Sequence, residues 1–174
     1  MKLDIACGYA KEDGFKGIDI CDLPGVDFVH DLSVHPWPIE SGAVTEARCC
    51  HYFEHVARLE RPRFMSEVWR VLADGARVTF QTPLGLHRQF QDFTHDWPVF
   101  PESYLYFDRS WLNRKGLGHY VGLYGIDCNF RTVDSLVGVS PEFECDDQAA
   151  TSFAAQNYVR GGADLLVVLE KLPL

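Results

Sequence analysis

"KLDIACGYAKEDGFKGIDI", residues 2–20, decides the fold. It holds two short apolar bursts, "KLDIAC" stopped at Gly8 and "GIDI" with Asp19 near its end. Bursts of this length bounded by turn residues read as buried strands. Only nine residues lie between Gly8 and Ile18. A parallel crossover with a full helix takes about a dozen residues or more, so the first connecting helix is expected to be nearly absent.

The same rhythm continues outward. "VDFVHDL" ends at Asp31, and "AVTEARCC" leads into Cys50 and His51. From residue 60 the period changes. Phe64, Met65, Val68, Trp69 and Leu72 form the apolar stripe of a helix lying on a sheet. Pro62 suits a first turn and Gly75 a C-cap, which predicts a helix over 60–74. "RVTFQT" then reads as a buried strand stopped by Pro83. Strands alternating with helical pattern predict an α/β fold on a mainly parallel sheet.

The C-terminal half is less regular. Residues 87–111 hold eight of the 23 aromatics, a density that suits either a lid over a pocket or a second packing layer. "ADLLVVLEKL" is the strongest strand pattern in the chain. "VRGG" supplies a turn before it, and "TSFAAQNYV" is the candidate antiparallel partner. There is no repeat, low-complexity tract or linker, so residues 1–174 are expected to form a single domain.

At 174 residues the chain can bury a core without metal or disulfide support. Its net charge of -9, with scattered arginines, argues against binding to nucleic acid in bulk. Six cysteines without a C-x-x-C pair, and no signal-like apolar run, fit reduced thiols in a cytoplasm. No stretch is apolar enough to predict a membrane span. Nothing in the sequence sets the oligomeric state.

In an open α/β sheet, ligands bind outside the carboxyl ends of the strands. Gly8, Asp19, Asp31, Cys50 and His51 stand there in succession. One glycine and two acids suit a nucleoside, whose ribose hydroxyls and exocyclic amine donate to carboxylates. A phosphate site calls for backbone N–H groups and a lysine instead.

Here the chain resembles a family. "LDIACG" is similar to the first motif, L-D-x-G-C-G, of class I S-adenosylmethionine-dependent methyltransferases. "GIDI" and "VHDLSVHPWP" resemble the segments carrying the ribose-side and adenine-side acids. "HYFEHV" with "FMSEVWRVLADGARVTFQTP", and "QDFTH", resemble runs found in a compact bacterial and phage branch. These motifs cover residues 3 to about 95 in order. The resemblance implies a Rossmann-like methyltransferase fold: a mostly parallel seven-stranded sheet with an antiparallel C-terminal strand and a reduced first helix. It implies S-adenosylmethionine as cofactor and S-adenosylhomocysteine as product. Asp4, Ala6, Cys7 and Gly8 would border the methionine end, Asp19 with Ile20 the ribose, and Asp31 with Leu32 the adenine. Cys50 and His51 would lie near the sulfonium. The glycine loop departs from the family's G-x-G-x-G, with Ala6 and Ala10 flanking Gly8, and alanine takes positive φ only at a cost. Lys11 is the nearby cation for the cofactor's carboxylate.

"HYFEH", residues 51–55, also matches the zinc-peptidase pattern His-x-x-Glu-His. That chemistry needs both histidines on one helix, and His51 directly follows a strand burst. No metal site is expected, His51 is expected to face the pocket, and His55 to be a hydrogen-bonded structural residue. His51 and His95, with Asp92 orienting the latter, are the candidate general bases. The expected activity is methyl transfer to a small-molecule, sugar-like or aromatic acceptor reached under a substrate-side insertion at 87–125. The alternatives are a catalytically inactive binding or regulatory module of the same fold, and a zinc hydrolase using His51, Glu54 and His55.

Overall fold

The apolar bursts form short strands in the computed structural model, which describes residues 1–84, 86–139, 147, 149–151, 153 and 162–174. They are β1 (Lys2–Ile5), β2 (Lys16–Asp19), β3 (Val26–Val29) and β4 (Val44–Cys50). A 3₁₀ turn (Phe53–His55) and the helix α1 (Arg61–Val71) lead into β5 (Leu72–Pro83). Then come α2 (Leu86–Phe90), a 3₁₀ segment (Pro101–Phe107), α3 (Arg109–Arg114), α4 (Tyr120–Tyr124), β6 (Phe130–Val139) and β7 (Gly162–Lys171).

The seven strands make one sheet in the order β3-β2-β1-β4-β5-β7-β6. β1 to β5 pair in parallel, and β7 runs antiparallel to both β5 and β6. The expected single reversed strand near the C-terminus is therefore present. Its partners are β5 and β6, whereas "TSFAAQNYV" lies almost wholly outside the described residues.

The core lies mainly on one face of the sheet. Along β7, Leu165, Val167 and Leu169 are fully buried while Leu166, Val168 and Glu170 are half-buried. α1 covers the buried face with Phe64, Met65, Val68 and Val71, each such side chain contributing roughly 1.5–3 kcal/mol. The helix stops at Val71 rather than at 74, because Leu72 is already extended (φ -69, ψ 141) and begins β5. Gly75 is thus no helix cap. It sits at φ 72 in a bulge of β5, where the register breaks between the Val44–Leu72 and Glu46–Arg77 pairs.

The aromatic-rich stretch divides in two. Val99, Tyr104, Phe107 and Leu112 join the core as a second packing layer, with Tyr104 stacked on Phe53 at 5.4 Å. Phe90, Phe93 and Trp97 remain exposed. No helix among the described residues is long and apolar enough to cross a membrane.

No helix joins β1 to β2. Three carboxylates hold the connecting loop instead. Asp4 Oδ2 accepts from Glu12 N (2.8 Å), Asp19 Oδ2 from Gly8 N (2.9 Å) and Asp27 Oδ2 from Gly17 N (2.8 Å). Gly17 is required here, since a Cβ on it would meet Cys7 Sγ at 2.6 Å.

Lys16 beside Asp27, with the Gly17 amide and Lys11, holds the Asp27 carboxyl well below the usual range. A depressed acid stabilises the fold above its unfolded pKa of about 3.9, and that contribution disappears as pH falls toward the folded value. Asp27→Asn is therefore expected to destabilise the protein by about 1–2 kcal/mol at pH 7. In urea titrations the gap to wild type should narrow steadily below about pH 4. An equal gap at pH 7 and pH 3 would contradict this account.

Candidate functional site

The carboxyl ends of β1 to β4 gather most of the expected residues. Ala6 and Gly8 both take left-handed backbone, φ 55 and φ 51, so this turn needs the conformation that glycine supplies most cheaply, and Ala6 bears it as a strained residue. Cys7 between them is buried, and burial pushes its thiol up.

Asp4 is only 2% exposed. It accepts from Glu12 N and lies 3.6 Å from Arg48 Nε, and burial raises its pKa. Its position makes it a loop anchor behind the turn. Asp19 is half-buried at the end of β2, and its two oxygens accept from the amides of Gly8 and Cys21. Each oxygen keeps a second lone pair toward solvent-accessible space. Ile20 beside it is 63% exposed, an apolar side chain next to a carboxylate at a strand end. Asp31 is exposed and closes an Asx turn on Ser33, whose N–H and hydroxyl hold its carboxyl below the usual range. Leu32 is buried and lines a hollow of about 170 Å³ with His35, Tyr52, His55 and Phe64. That is less than the roughly 300–1,000 Å³ of a whole-ligand pocket, and it suits one part of a ligand. Lys11 is committed to Asp27 at 3.1 Å, so the expected cation for an amino-acid carboxylate is already engaged.

The end of β4 carries the reactive candidates. His51 adopts φ 52, a left-handed conformation in a non-glycine residue at the mouth of the sheet. Its backbone N–H donates to Gln81 O at 2.8 Å, and its ring lies 3.5 Å from Glu54 Oε1 and 3.9 Å from Asp164 Oδ2. Glu54, ahead of Asp164, raises the imidazole's pKa. Gln81 donates to Asp164 Oδ2 at 2.9 Å, which orders the far side of this group. Cys50 points toward Arg48, whose Nη2 donates to its Sγ at 3.0 Å. Arg48 also pairs with Glu12, tying β4 to the loop after β1.

His51 and His55 do not share a helical face. Only Phe53–His55 is helical, as one 3₁₀ turn, so the arrangement a zinc peptidase requires is not formed. His55 Nδ1 lies 2.9 Å from Thr94 Oγ1, in keeping with a hydrogen-bonded histidine. His95 is oriented by Gln89 O, 2.9 Å from its Nδ1. Asp92 Oδ1 accepts from the amide and hydroxyl of Thr94, and its Oδ2 lies 3.9 Å from His95 Nε2, an ion-pair distance without a hydrogen bond. His95 packs against His55, with ring centroids 4.8 Å apart, while the ionic partners of His51 are Glu54 and Asp164.

Sequence reasoning missed Arg48, Gln81 and Asp164. Arg48 could have been noticed as a charge inside the apolar burst "AVTEARCC"; the other two lie on strands whose pairing had to be known first. A second cavity, about 460 Å³, opens beyond the turn after β4. Phe53, Arg61, Trp97, Tyr106, Tyr120 and Tyr124 are among the residues lining it.

No family profile and no curated protein matches the sequence. Solved structures do match the fold. An S-adenosylmethionine-dependent methyltransferase from Archaeoglobus fulgidus aligns over 98% of this chain and 85% of its own, with TM-score 0.62 and 19% identity. One from Methanosarcina mazei aligns over 99% and 92%, with TM-score 0.53 and 14% identity. The cyclase SpnF aligns over 98% and 73%, with TM-score 0.54 and 14% identity. The chain has the Rossmann-like fold of these methyltransferases, and the cyclase shows that this fold also carries other chemistry.

If Ala6 is strained, relieving it is measurable. Ala6→Gly should raise unfolding free energy by about 0.5–1 kcal/mol, the left-handed penalty less the added unfolded-state entropy. Ala10→Gly, at a position without positive φ, should lower it by a similar amount. Matching shifts in the two variants would mean that the loop does not demand left-handed backbone at residue 6.

Proposed function

We propose that this protein is an S-adenosylmethionine-dependent methyltransferase that acts on a small-molecule acceptor and releases S-adenosylhomocysteine. The observation that carries the reading is Asp19: a carboxylate at the end of β2, facing the left-handed Ala6–Gly8 turn of β1, with exposed Ile20 alongside. That pairing supplies acceptors for a ribose diol next to an apolar wall for a nucleoside, and it lacks the lysine and helix N-terminus that a phosphate needs. The matching fold of solved methyltransferases supports it.

In this reading Cys7 and Gly8 carry the methionine end over the β1 turn, Asp19 takes the ribose hydroxyls, and Asp31 with Leu32 reads the adenine beside the hollow under Tyr52. The cofactor supplies an activated methyl group; the chain's task is to align the nucleophile with the breaking C–S bond and exclude water. His51 is the base candidate that the geometry favours. It stands at the end of β4 between Glu54 and Asp164, both able to stabilise an imidazolium after proton uptake. His95 turns its ring to His55 instead, and is assigned no proton transfer.

The acceptor would enter through the 460 Å³ cavity. Its tyrosines, Trp97 and the Arg61 guanidinium suit a planar or sugar-like ring. Phe53 in its lining belongs to the same turn as Glu54, whose carboxylate faces His51. Residues 87–125 then act as the substrate-side insertion of one cytoplasmic domain.

Calorimetry with S-adenosylhomocysteine tests the reading. Wild type should bind it, and Asp19→Ala should lose about 1.5–3 kcal/mol of affinity, roughly 10- to 150-fold, by stranding the ribose hydroxyls. Circular dichroism confirms that the variant keeps its fold. Wild type without measurable affinity would remove the methyltransferase reading, and unchanged affinity in folded Asp19→Ala would remove the ribose assignment alone.

A further inference from the structure

We propose that Glu54, His55 and His95 form a binding site for one divalent transition-metal ion, of the borderline class that includes zinc. One ligand atom from each of the three lies within 4.8 Å of the others. This is a different convergence from the His-x-x-Glu-His pattern of the sequence, since it replaces His51 with a histidine forty residues from His55.

The hydrogen bonds around the two histidines fall on Nδ1 of each ring and leave Nε2 without one. Gln89 O can only accept, so His95 Nδ1, 2.9 Å away, carries the proton in the neutral ring and Nε2 keeps its lone pair. Thr94 Oγ1 donates its hydrogen to Asp92 Oδ1 at 2.7 Å, so toward His55 Nδ1, at 2.9 Å, it accepts. In the neutral ring His55 Nε2 then keeps its lone pair as well. A carbonyl or hydroxyl fixing one ring N–H while the other nitrogen stays open is the outer arrangement that metal-ligating histidines show.

The third observation is independent of these bonds. Glu54 is 2% exposed, and its Oε2 has no hydrogen-bond partner. Oε1 faces His51 at 3.5 Å. A buried carboxylate oxygen left bare is costly, and a cation beside it removes that cost. Arg61 feels the Glu54 charge but makes no hydrogen bond to it: it donates to Val56 O and Trp97 O and lies over the Phe53 ring. Asp92 Oδ2, 3.9 Å from His95 Nε2, adds a second negative charge at the same place.

Two imidazoles and a carboxylate suit zinc and its neighbours rather than magnesium or calcium, which take oxygen ligands. Tetrahedral zinc with these ligands spaces donor atoms about 3.3 Å apart, so the widest gap must close by roughly 1.5 Å. His55 is exposed and can re-aim its ring, and the segment bearing His95 is tied to the turn by Asp96 N donating to Glu54 O at 3.1 Å. Three protein ligands leave a fourth position for water or an exogenous donor. The ion would staple the turn after β4 to residues 92–96, two elements that flank His51 and the aromatic cavity.

The test is titration of chelator-stripped full-length protein with Zn²⁺ by calorimetry and with Co²⁺ by visible absorption. One equivalent should bind, and the Co²⁺ form should show intense ligand-field bands without a sulfur charge-transfer band. His55→Ala and His95→Ala should each weaken binding by about 100-fold or more; His30→Ala, whose ring lies on Val34 O, should leave it unchanged. Wild type taking up no equivalent of either ion overturns the proposal, as does affinity retained in both folded variants or a thiolate spectrum. If the alanine variants fail to fold, the wild-type stoichiometry and spectrum decide. Cofactor binding plays no part in these readouts, so the outcome is separate from the methyltransferase reading.

Discussion

The hydrogen bonds that three backbone amides, two in the loop after β1 and one in β2, donate to three aspartates are what the rest of this structure depends on. Between β1 and β2 the chain has too few residues for a helix, and the loop that replaces one would leave its amides unsatisfied. Asp4, Asp19 and Asp27 accept from Glu12, Gly8 and Gly17 in turn. Each is a charge-assisted bond, stronger than its neutral counterpart. They fix the turn at Ala6–Gly8 in its left-handed form and set the edge along which β2 and β3 pair. The acidic composition seen from the sequence is thus partly structural.

That arrangement also limits what Asp19 can do. Both of its oxygens accept a backbone amide, so a ligand meets an oriented acceptor rather than a mobile side chain. Preorganisation of this kind reduces the entropy lost on binding. The same logic separates Asp4 from Asp19. Asp4 is sealed behind the loop and pairs toward Arg48, so its contribution to any ligand passes through the loop it holds.

The strands β1, β2, β4 and β5, the helix α1, the missing first helix and the strand-end acids were legible in the sequence because each is announced by local chemistry. Turn residues bound them, and apolar period marks them. What was not legible depends on partners distant in sequence. β6 is exposed at Arg131 and from Val133 to Leu136, so "FRTVDSLVGV" shows no clean alternation. Gly75 looked like a helix cap and instead serves a bulge, which only the pairing of β4 with β5 reveals. Lys11 looked free until Asp27 was placed next to it. Asp92 and His95, three residues apart, read as a pair and do face each other at 3.9 Å, but the hydrogen bonds that Thr94 gives Asp92 and that Gln89 O makes with His95 could not be read from the spacing. Arg48, Gln81 and Asp164 act across strands and carry no local signature.

The turn after β4 concentrates the remaining tension. His51 holds left-handed backbone where glycine would be cheaper, Phe53 fills the aromatic core between Phe64, Phe80 and Tyr104, and Glu54 buries a carboxylate. Burial of Phe53 is the strong term. Its neighbours on both sides are displaced from their preferred states because they must follow it: the residue two before takes the strained φ, and the residue after is carried under the surface. Strain and a buried carboxylate oxygen without a hydrogen-bond partner in one five-residue stretch are what a fold retains where they serve a site, since substitution could remove either without touching the core. The loop at the β1 end takes the place of a connecting helix.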